Sequence, residues 1–388
     1  MAPALKRARS VPHLKSIRGL MLLAGLIVLA AGAASTPDRA QVTNPYSPRY
    51  GHPYRHGPVP TRTTHAKMQI WWTSHPVTQV LAPGTGIQTL TFGGGIDGIG
   101  VTSGTPKVYM VIYGSQWGNA SSDADGNVTF SGDSNGEVPR LQQLFKGLGT
   151  GGELWSGTMT QYCDGSQVNP GATSCASNAA HVAYPTAAVL AGVWYDNSIA
   201  SPASATGNQL ASEAIKAAAH FGNTTAASNR YAQYVILSPP GTNPDGFNTS
   251  SGNFCAWHDY NADAALSGGA ESSSFGDIAF TNMPYVTDAG SGCGASFVNS
   301  GAAGALDGVT IVEGHEYAET ITDQNPAGGW TNQTGSTYNG QEDGDECAWI
   351  ASGQGASANV AMGNGSYPMQ STWSNDTNRC DISHPVVH

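Results

Sequence analysis

Cys163, Cys175, Cys255, Cys293, Cys347 and Cys380 are the whole cysteine complement of this 388-residue chain, and what they can form depends on the compartment. The N-terminus points to one. Lys6, Arg7, Arg9, Lys15 and Arg18 make a cationic stretch without an acid, Leu20 to Ala31 is apolar, and Ala31-Gly32-Ala33 offers the small residues a signal peptidase prefers. This is the pattern of an export signal over residues 1–34; the apolar run is short for a spanning helix, which needs about 20 residues. There is no twin-arginine pair, so the general secretory route is expected. An exported chain with an even cysteine count is expected to carry a disulfide framework. Among the pairings open to six cysteines, the expected set is the sequence-nearest one: Cys163–Cys175, Cys255–Cys293 and Cys347–Cys380. No C-x-x-C pair occurs, which argues against a zinc knuckle or a thioredoxin-type motif.

Charge narrows the partners. The chain has 27 Asp and Glu against 16 Lys and Arg, a formal net charge of −11, and losing the five cations of residues 1–34 would take it to about −16. Such a chain lacks the basic footprint that grips phosphate backbones, so nucleic acid is excluded as a partner. No membrane association is expected after signal removal. Nine Trp and 15 Tyr with only 11% charged residues supply enough apolar mass for a core, so wholesale disorder is excluded too.

Residues 35–85 are rich in Pro, His, Tyr and Arg and show no period, which predicts an extended leader or pro-segment. Its His52, His56, His65 and His75 are irregularly spaced among arginines and read as solvated or structural rather than metal-binding. A single globular domain is expected over 86–388. Lys107–Gly114, Ala187–Tyr195 and Tyr231–Leu237 read as strands. Arg140–Leu148, Asn208–Phe221 and Leu306–Asp323 read as helices, the second ending at Gly222. Strands alternating with helices predict an α/β or α+β fold: a central mixed sheet flanked by helices, loop-rich and stapled by disulfides. Residues 240–300 read as loop-rich, and the Gly/Ser/Asn-rich remainder as poor in strands. Asp123-Ala-Asp125-Gly-Asn127 has oxygen spacing like a calcium loop, but its Gly comes too early and no twelfth-position Glu follows, so it reads as a solvated turn.

Chemistry concentrates in Gly314-His315-Glu316-Tyr317-Ala318-Glu319-Thr-Ile-Thr-Asp323. On a helix, His315 and Glu319 are i and i+4, so both side chains leave one face and can grip one ion, with Asp323 a turn further on. Glu316 sits where the general base of an H-E-x-x-H metallopeptidase sits, so the helix is expected to be zincin-like. Glu replaces the second His of that motif, which hardens the site and raises calcium or manganese beside zinc. Further ligands are sought in Gln341-Glu342-Asp343-Gly344-Asp345-Glu346-Cys347, where four carboxylates fall in five residues, and in Cys255-Ala-Trp257-His258-Asp259. Glu342, Asp345 and His258 are the candidates, with Asp259 as a residue that would orient His258.

Taken together these segments resemble the phosphate-induced protein 1, or EXORDIUM-like, family of secreted plant and bacterial proteins. The resemblance spans about residues 105–350. It rests on the strand ending Tyr113-Gly114, the strand Tyr231–Leu237 running into Ser238-Pro-Pro-Gly-Thr-Asn-Pro-Asp-Gly, and Phe254-Cys255-Ala-Trp-His258. It continues through the His-Glu-x-x-Glu helix with Thr322-Asp323, Trp330, and Glu342-x-Gly-Asp345-x-Cys347. Plant members carry His-Glu-Leu-Ala-Glu and Glu-Ile-Gly-Asp-x-Cys at the last two motifs. The resemblance implies an extracytoplasmic protein, linked in plants to cell-wall and growth responses, and implies no established reaction. The leader and the tail after residue 352 lie outside it.

Other chemistries find less support. There is no G-x-S-x-G nucleophile elbow, paired cysteines leave no thiol nucleophile, and nothing selects a carboxylate pair for glycoside hydrolysis. Trp257, Trp330 and Trp349 read as packing residues. Two functional expectations remain. One is a secreted metal-dependent hydrolase, foremost a zincin-like metallopeptidase. Its divalent metal, zinc ahead of calcium, would be held by His315, Glu319 and one of Asp345, Glu342 or His258, with Glu316 as base. Its substrate would be an extracellular peptide or cell-wall material. The other is a non-catalytic extracellular or wall-associated binding module whose metal is structural.

Overall fold

Strands rich in β-branched and aromatic residues form wherever the pattern is fully apolar, and their alternation serves two layers of helix. The computed structural model describes residues 44–76, 87–334 and 338–387; the expected signal segment lies outside them. Six strands build a mixed sheet: β1 (His56–Pro60), β2 (Lys107–Tyr113), β3 (Leu190–Asp196), β4 (Ala232–Leu237), β5 (Phe254–Tyr260) and β6 (Ala279–Met283). Their spatial order is β1-β5-β6-β4-β2-β3. Strands β6, β4, β2 and β3 are mutually parallel, while β5 runs antiparallel to β6 and β1 antiparallel to β5. All of β4 is buried, as a parallel strand covered on both faces must be.

The helices are α1 (Arg62–Ser74), α2 (Glu137–Gly147), α3 (Gly207–His220), the one-turn α4 (Ala226–Asn229) and α5 (Asp307–Thr322). Thr206 and Gln209 form a reciprocal capping box on α3. The Asp307 carboxylate accepts the N–H groups of Val298 and Asn299, which places negative charge in the first turn of α5. Neighbouring residues of β4 show the two layers. Gln233 donates to Thr281 and to Thr320 of α5. Tyr234 bonds instead to Asn223 and Asn229, where α3 and α4 meet. The α+β fold with a central mixed sheet, expected from the alternation of elements, is thus present.

The structure corrects three segment readings. Residues 44–76, assigned to a leader ahead of a domain starting at 86, belong to the folded unit: His56–Pro60 pairs with β5, and α1 follows directly. The strand was masked because HGPVP has no apolar alternation, yet every residue in it is buried. Pro58 and Pro60 lack the N–H a central strand must donate, and β1 lies at an edge of the sheet, where prolines are tolerated. The loop-rich reading of 240–300 missed β5 and β6, whose buried Trp, His, Asp, Thr and Asn hide the strand period. The tail forms two antiparallel hairpins, 358–369 and 372–381.

All three disulfides form in the sequence-nearest pairing, which fits an oxidising compartment. Among the described residues no helix is long and apolar enough to cross a membrane. Trp257, Trp330 and Trp349 are buried in the core. Asp123 closes its turn by accepting the N–H groups of Asp125 and Asn127, so that loop satisfies itself without an ion. Cys255 lies on β5 and ties that strand to the 3₁₀ segment Val286–Cys293. We predict that C255A/C293A lowers unfolding free energy by about 2–4 kcal/mol, from the entropy of the released loop. Denaturant unfolding without reductant checks this; a cost below ~1 kcal/mol would mean that the strand ladder alone holds β5.

Candidate metal centre

Every residue of α5 is buried, including Glu313, His315, Glu316, Glu319 and Thr320. An entirely buried helix is ordinarily apolar all round. Here Val309, Ile311, Val312, Ala318 and Ile321 carry the packing, and the polar residues must find partners inside the protein. Strand alternation turns His258 of β5 to the same face as its cross-strand neighbour Thr281, whose hydroxyl shares Gln233 with α5. The acidic loop 341–347, pinned by Cys347–Cys380, closes the site from the far side.

The Glu319 carboxylate is the hub. Its Oε1 lies 3.0 Å from His315 Nε2 and accepts the Asp345 N–H at 2.9 Å. Its Oε2 lies 3.8 Å from His258 Nε2, which is 3.1 Å from Glu342 Oε2. Asp345 Oδ1 stands 3.9 Å from His315 Nε2, and the Gly57 carbonyl 3.2 Å from the same nitrogen. Two triads have all their ligand atoms within 4.8 Å of one another: His258, Glu316 and Glu319, and His315, Glu319 and Asp345. These groups have the donor types and spacing to hold a metal ion. Two close backbone approaches complete the shell. A Cβ on Gly57, whose φ is +47°, would overlap the Glu319 carboxylate, and one on Gly344 would press on both Glu319 and His315.

Electrostatics explains why the arrangement suits either bound protons or a cation. His258, His315, Glu316, Glu319 and Glu342 are all 0% exposed. Burial pushes both imidazoles down to about 3, with Arg49 adding to the effect at His258, so both stay neutral. The Gly57 carbonyl only accepts, so His315 Nε2 carries the ring proton in the metal-free protein and would pass it to Nδ1 on ligating. Burial raises the carboxyls of Glu316, Glu319 and Glu342 well above the ordinary range. Mutual repulsion adds to it at Glu316 and Glu319, whereas at Glu342 the charge of Arg49 is the largest opposing effect. Asp343 is pushed up to about 7 by burial, and Asp345 is raised by burial and then by Glu342. Both oxygens of Glu316, Oε2 of Glu319, Oε1 of Glu342 and both histidine Nδ1 atoms lack a hydrogen-bond partner. Buried acceptors without donors are costly, and a cation among them removes that cost.

The structure thus brings together His258, His315, Glu316, Glu319, Glu342 and Asp345 from three separate stretches of sequence. Asp323 is not among them: its carboxylate accepts the Ala327 and Gly329 N–H groups and so fixes the turn that follows the helix. Asp259 does not orient His258. Alternation turns it to the other face, where Oδ1 accepts the Tyr260 N–H. Sequence reasoning missed Gly57, Arg49 and Glu313; a glycine-proline pair inside the supposed leader was the one available signal. A second group, His56 with Asp259 and Asp263, is a hydrogen-bonded arrangement around a neutral imidazole, which burial pushes down to about 4. Arg49 has only donors, so His56 Nδ1, 3.1 Å away, accepts. That leaves Nε2 protonated and directed at Asp263, 3.5 Å away. No family profile, characterised protein or solved structure matches the chain, so function is argued from the chemistry of the site alone.

The shifts make a pH prediction. Asp343 and Asp345, raised from about 4 to about 7 and above, bind more protons folded than unfolded, so metal-free stability falls as pH rises through that window. The depressed histidines act oppositely, adding stability as pH rises from about 3 to 6.5, so the net loss is clearest above 6.5. We expect chelator-treated protein to lose Tm between pH 6.5 and 8, and added divalent metal to cancel that loss. Calorimetry with and without chelator tests it; a metal-induced gain in Tm that shrinks toward pH 8 would contradict this site.

Proposed function

We propose that the protein is a secreted metal-dependent hydrolase, a peptidase of zincin-like chemistry that acts on extracellular peptide or cell-wall material. The observation that carries the proposal is the convergence of two neutral imidazoles on Glu319, with an unpartnered Glu316 in the same cluster. His258, His315 and Glu319 would hold the metal, a two-histidine, one-carboxylate set of a kind found in catalytic zinc enzymes, with the two imidazoles closing from their separate triads onto the shared Glu319. The second imidazole restores the preference for zinc that Glu319 alone would weaken, because calcium takes oxygen donors only. The metal would supply Lewis acidity, polarising a carbonyl and making a water acidic. Glu316 would accept that water's proton and pass it to the leaving group. Asp345 accepts the Glu342 backbone N–H, while the Glu342 carboxylate, now against His258 Nε2, would give up that contact once the nitrogen ligates. The resemblance to the EXORDIUM-like family belongs to the same proposal and supports the extracytoplasmic location.

The second reading, a binding module with a structural metal, is favoured by one feature: the ligand atoms are fully buried, as in closed structural sites. Glu316 separates the two. E316Q is expected to keep about one zinc per chain by elemental analysis and a Tm close to the parent's, while hydrolysis of a peptide library falls by ~10²–10⁴-fold. H258A and H315A are expected to lose the zinc. Hydrolysis that survives in E316Q would rule out the mechanism, and parent protein that takes up no metal would rule out the site.

A further inference from the structure

We infer that the free edge of β5 beside the metal centre is a groove for an extended peptide, and that β1 is its built-in occupant. This inference rests on the hydrolase reading above and specifies its substrate class and regulation. The pairing is that of a peptide added to a sheet edge: β1 runs antiparallel to β5 in the register His56 to His258, Val59 to Ala256 and Pro60 to Phe254, and pairs with no other strand. Main-chain pairing of this kind accepts many sequences, while pockets and close approaches select among them.

The strand meets the site at its centre. The Gly57 carbonyl is the one backbone oxygen hydrogen-bonded to a candidate ligand nitrogen, at 3.2 Å from His315. Gly57 has a positive φ and no room for a side chain against Glu319. A peptide in this register therefore presents a glycine where it passes the metal, with its carbonyl turned to the histidine. A register irregularity between His56 and Val59 falls at the same point, so the ladder opens where the carbonyl turns inward.

The occupant is tethered at both ends and cross-linked nowhere. All six cysteines lie between residues 163 and 380 and are paired with one another. Arg55 is the main clasp: its guanidinium pairs with Asp245 at 2.7 Å, donates to the Asp245 and Pro48 carbonyls, and lies over Phe254. Tyr54 donates to the same aspartate. At the other end the Trp349 indole donates to the Pro60 carbonyl, and Thr61 caps α1. With β1 in place His258, His315, Glu316 and Glu319 have no exposed surface, so a substrate reaches them only while β1 is displaced. A displaced β1 uncovers them and leaves the β5 edge free for another chain.

The test uses the zinc-loaded full chain and R55A, with two readouts: zinc transfer to a chromogenic chelator, and hydrolysis of a quenched peptide library. Hydrogen exchange at the Ala256 and Val59 amides reports whether β1 is released. R55A is expected to transfer zinc and cleave peptides at least 10-fold faster than the parent, and a synthetic peptide of residues 52–62 to slow both again. Equal rates in the two proteins, with exchange showing β1 released, would overturn the inference, and hydrolysis sensitive to E316Q would then leave the proposed function standing. Faster zinc transfer that the peptide reverses, without cleavage of any peptide, would support the occupied groove and sink the peptidase reading. Should R55A not fold, W349F, which loses the indole bond to Pro60 along with some packing against Phe297, takes its place.

Discussion

Negative charge held without water is the constraint around which this molecule is arranged. Glu313, Glu316, Glu319, Glu342 and Asp343 are fully buried, Asp345 nearly so, and among the described residues Arg49 is the cation that acts on Glu342 and Asp345. At an effective dielectric of about 20, two unit charges 4 Å apart repel by about 4 kcal/mol, so these carboxylates cannot all ionise in the metal-free protein. Either protons or a cation must balance them. Two imidazoles that burial keeps neutral, both aimed at Glu319, give a cation somewhere to sit.

The rest of the fold keeps that cluster together and dry. The antiparallel β5 delivers His258 from the sheet, α5 delivers three residues within one and a half turns, and the loop 341–347 brings the last two. Two of the three disulfides act on these pieces, Cys255–Cys293 on β5 and Cys347–Cys380 on the loop. The close packing is made by backbone where side chains would not fit, at Gly57 and Gly344. Trp155 and Trp330, both buried, spend their indole N–H groups on the Gln370 and Cys163 carbonyls, which seats the two hairpins and loops around the site without adding further unpaired polar groups.

Local periodicity carried the parts of this structure that a sequence can report. The i,i+4 spacing of His315 and Glu319, the helical run around it, the apolar strands β2 to β4 and the disulfide pairing were all legible because each depends on residues close together in sequence or on chemistry of one kind. Strands β1, β5 and β6 were not. HGPVP and FCAWHDY are wholly buried and half polar, so the alternation that marks a strand is absent from both. Which of His258, Glu342 and Asp345 would meet α5 could be narrowed but not chosen, since that depends on a register between β5 and β6 set by long-range packing. The role of Gly57 was hidden for the same reason: a glycine reads as punctuation until something is found pressing on it.

On the proposed reading, metal and base depend on each other. A general base has to be ionised when it works, and Glu316 is held protonated by burial and by its neighbours Glu313, Asp345 and Glu342. A nearby positive charge favours the ionised form and lowers that pKa, and a divalent ion does so more strongly. The same ion allows Glu319 to ionise as a ligand. Without it Glu316 is a buried acid with nothing to donate to; with it Glu316 becomes a carboxylate beside an electrophile. A purely structural metal could take Glu316 as a ligand, in the triad it makes with His258 and Glu319; as a base, Glu316 would stand beside the ion instead. On the hydrolase reading, Glu316, kept there at the desolvation cost of a buried carboxyl, would be the group that turns a metal staple into a catalytic site.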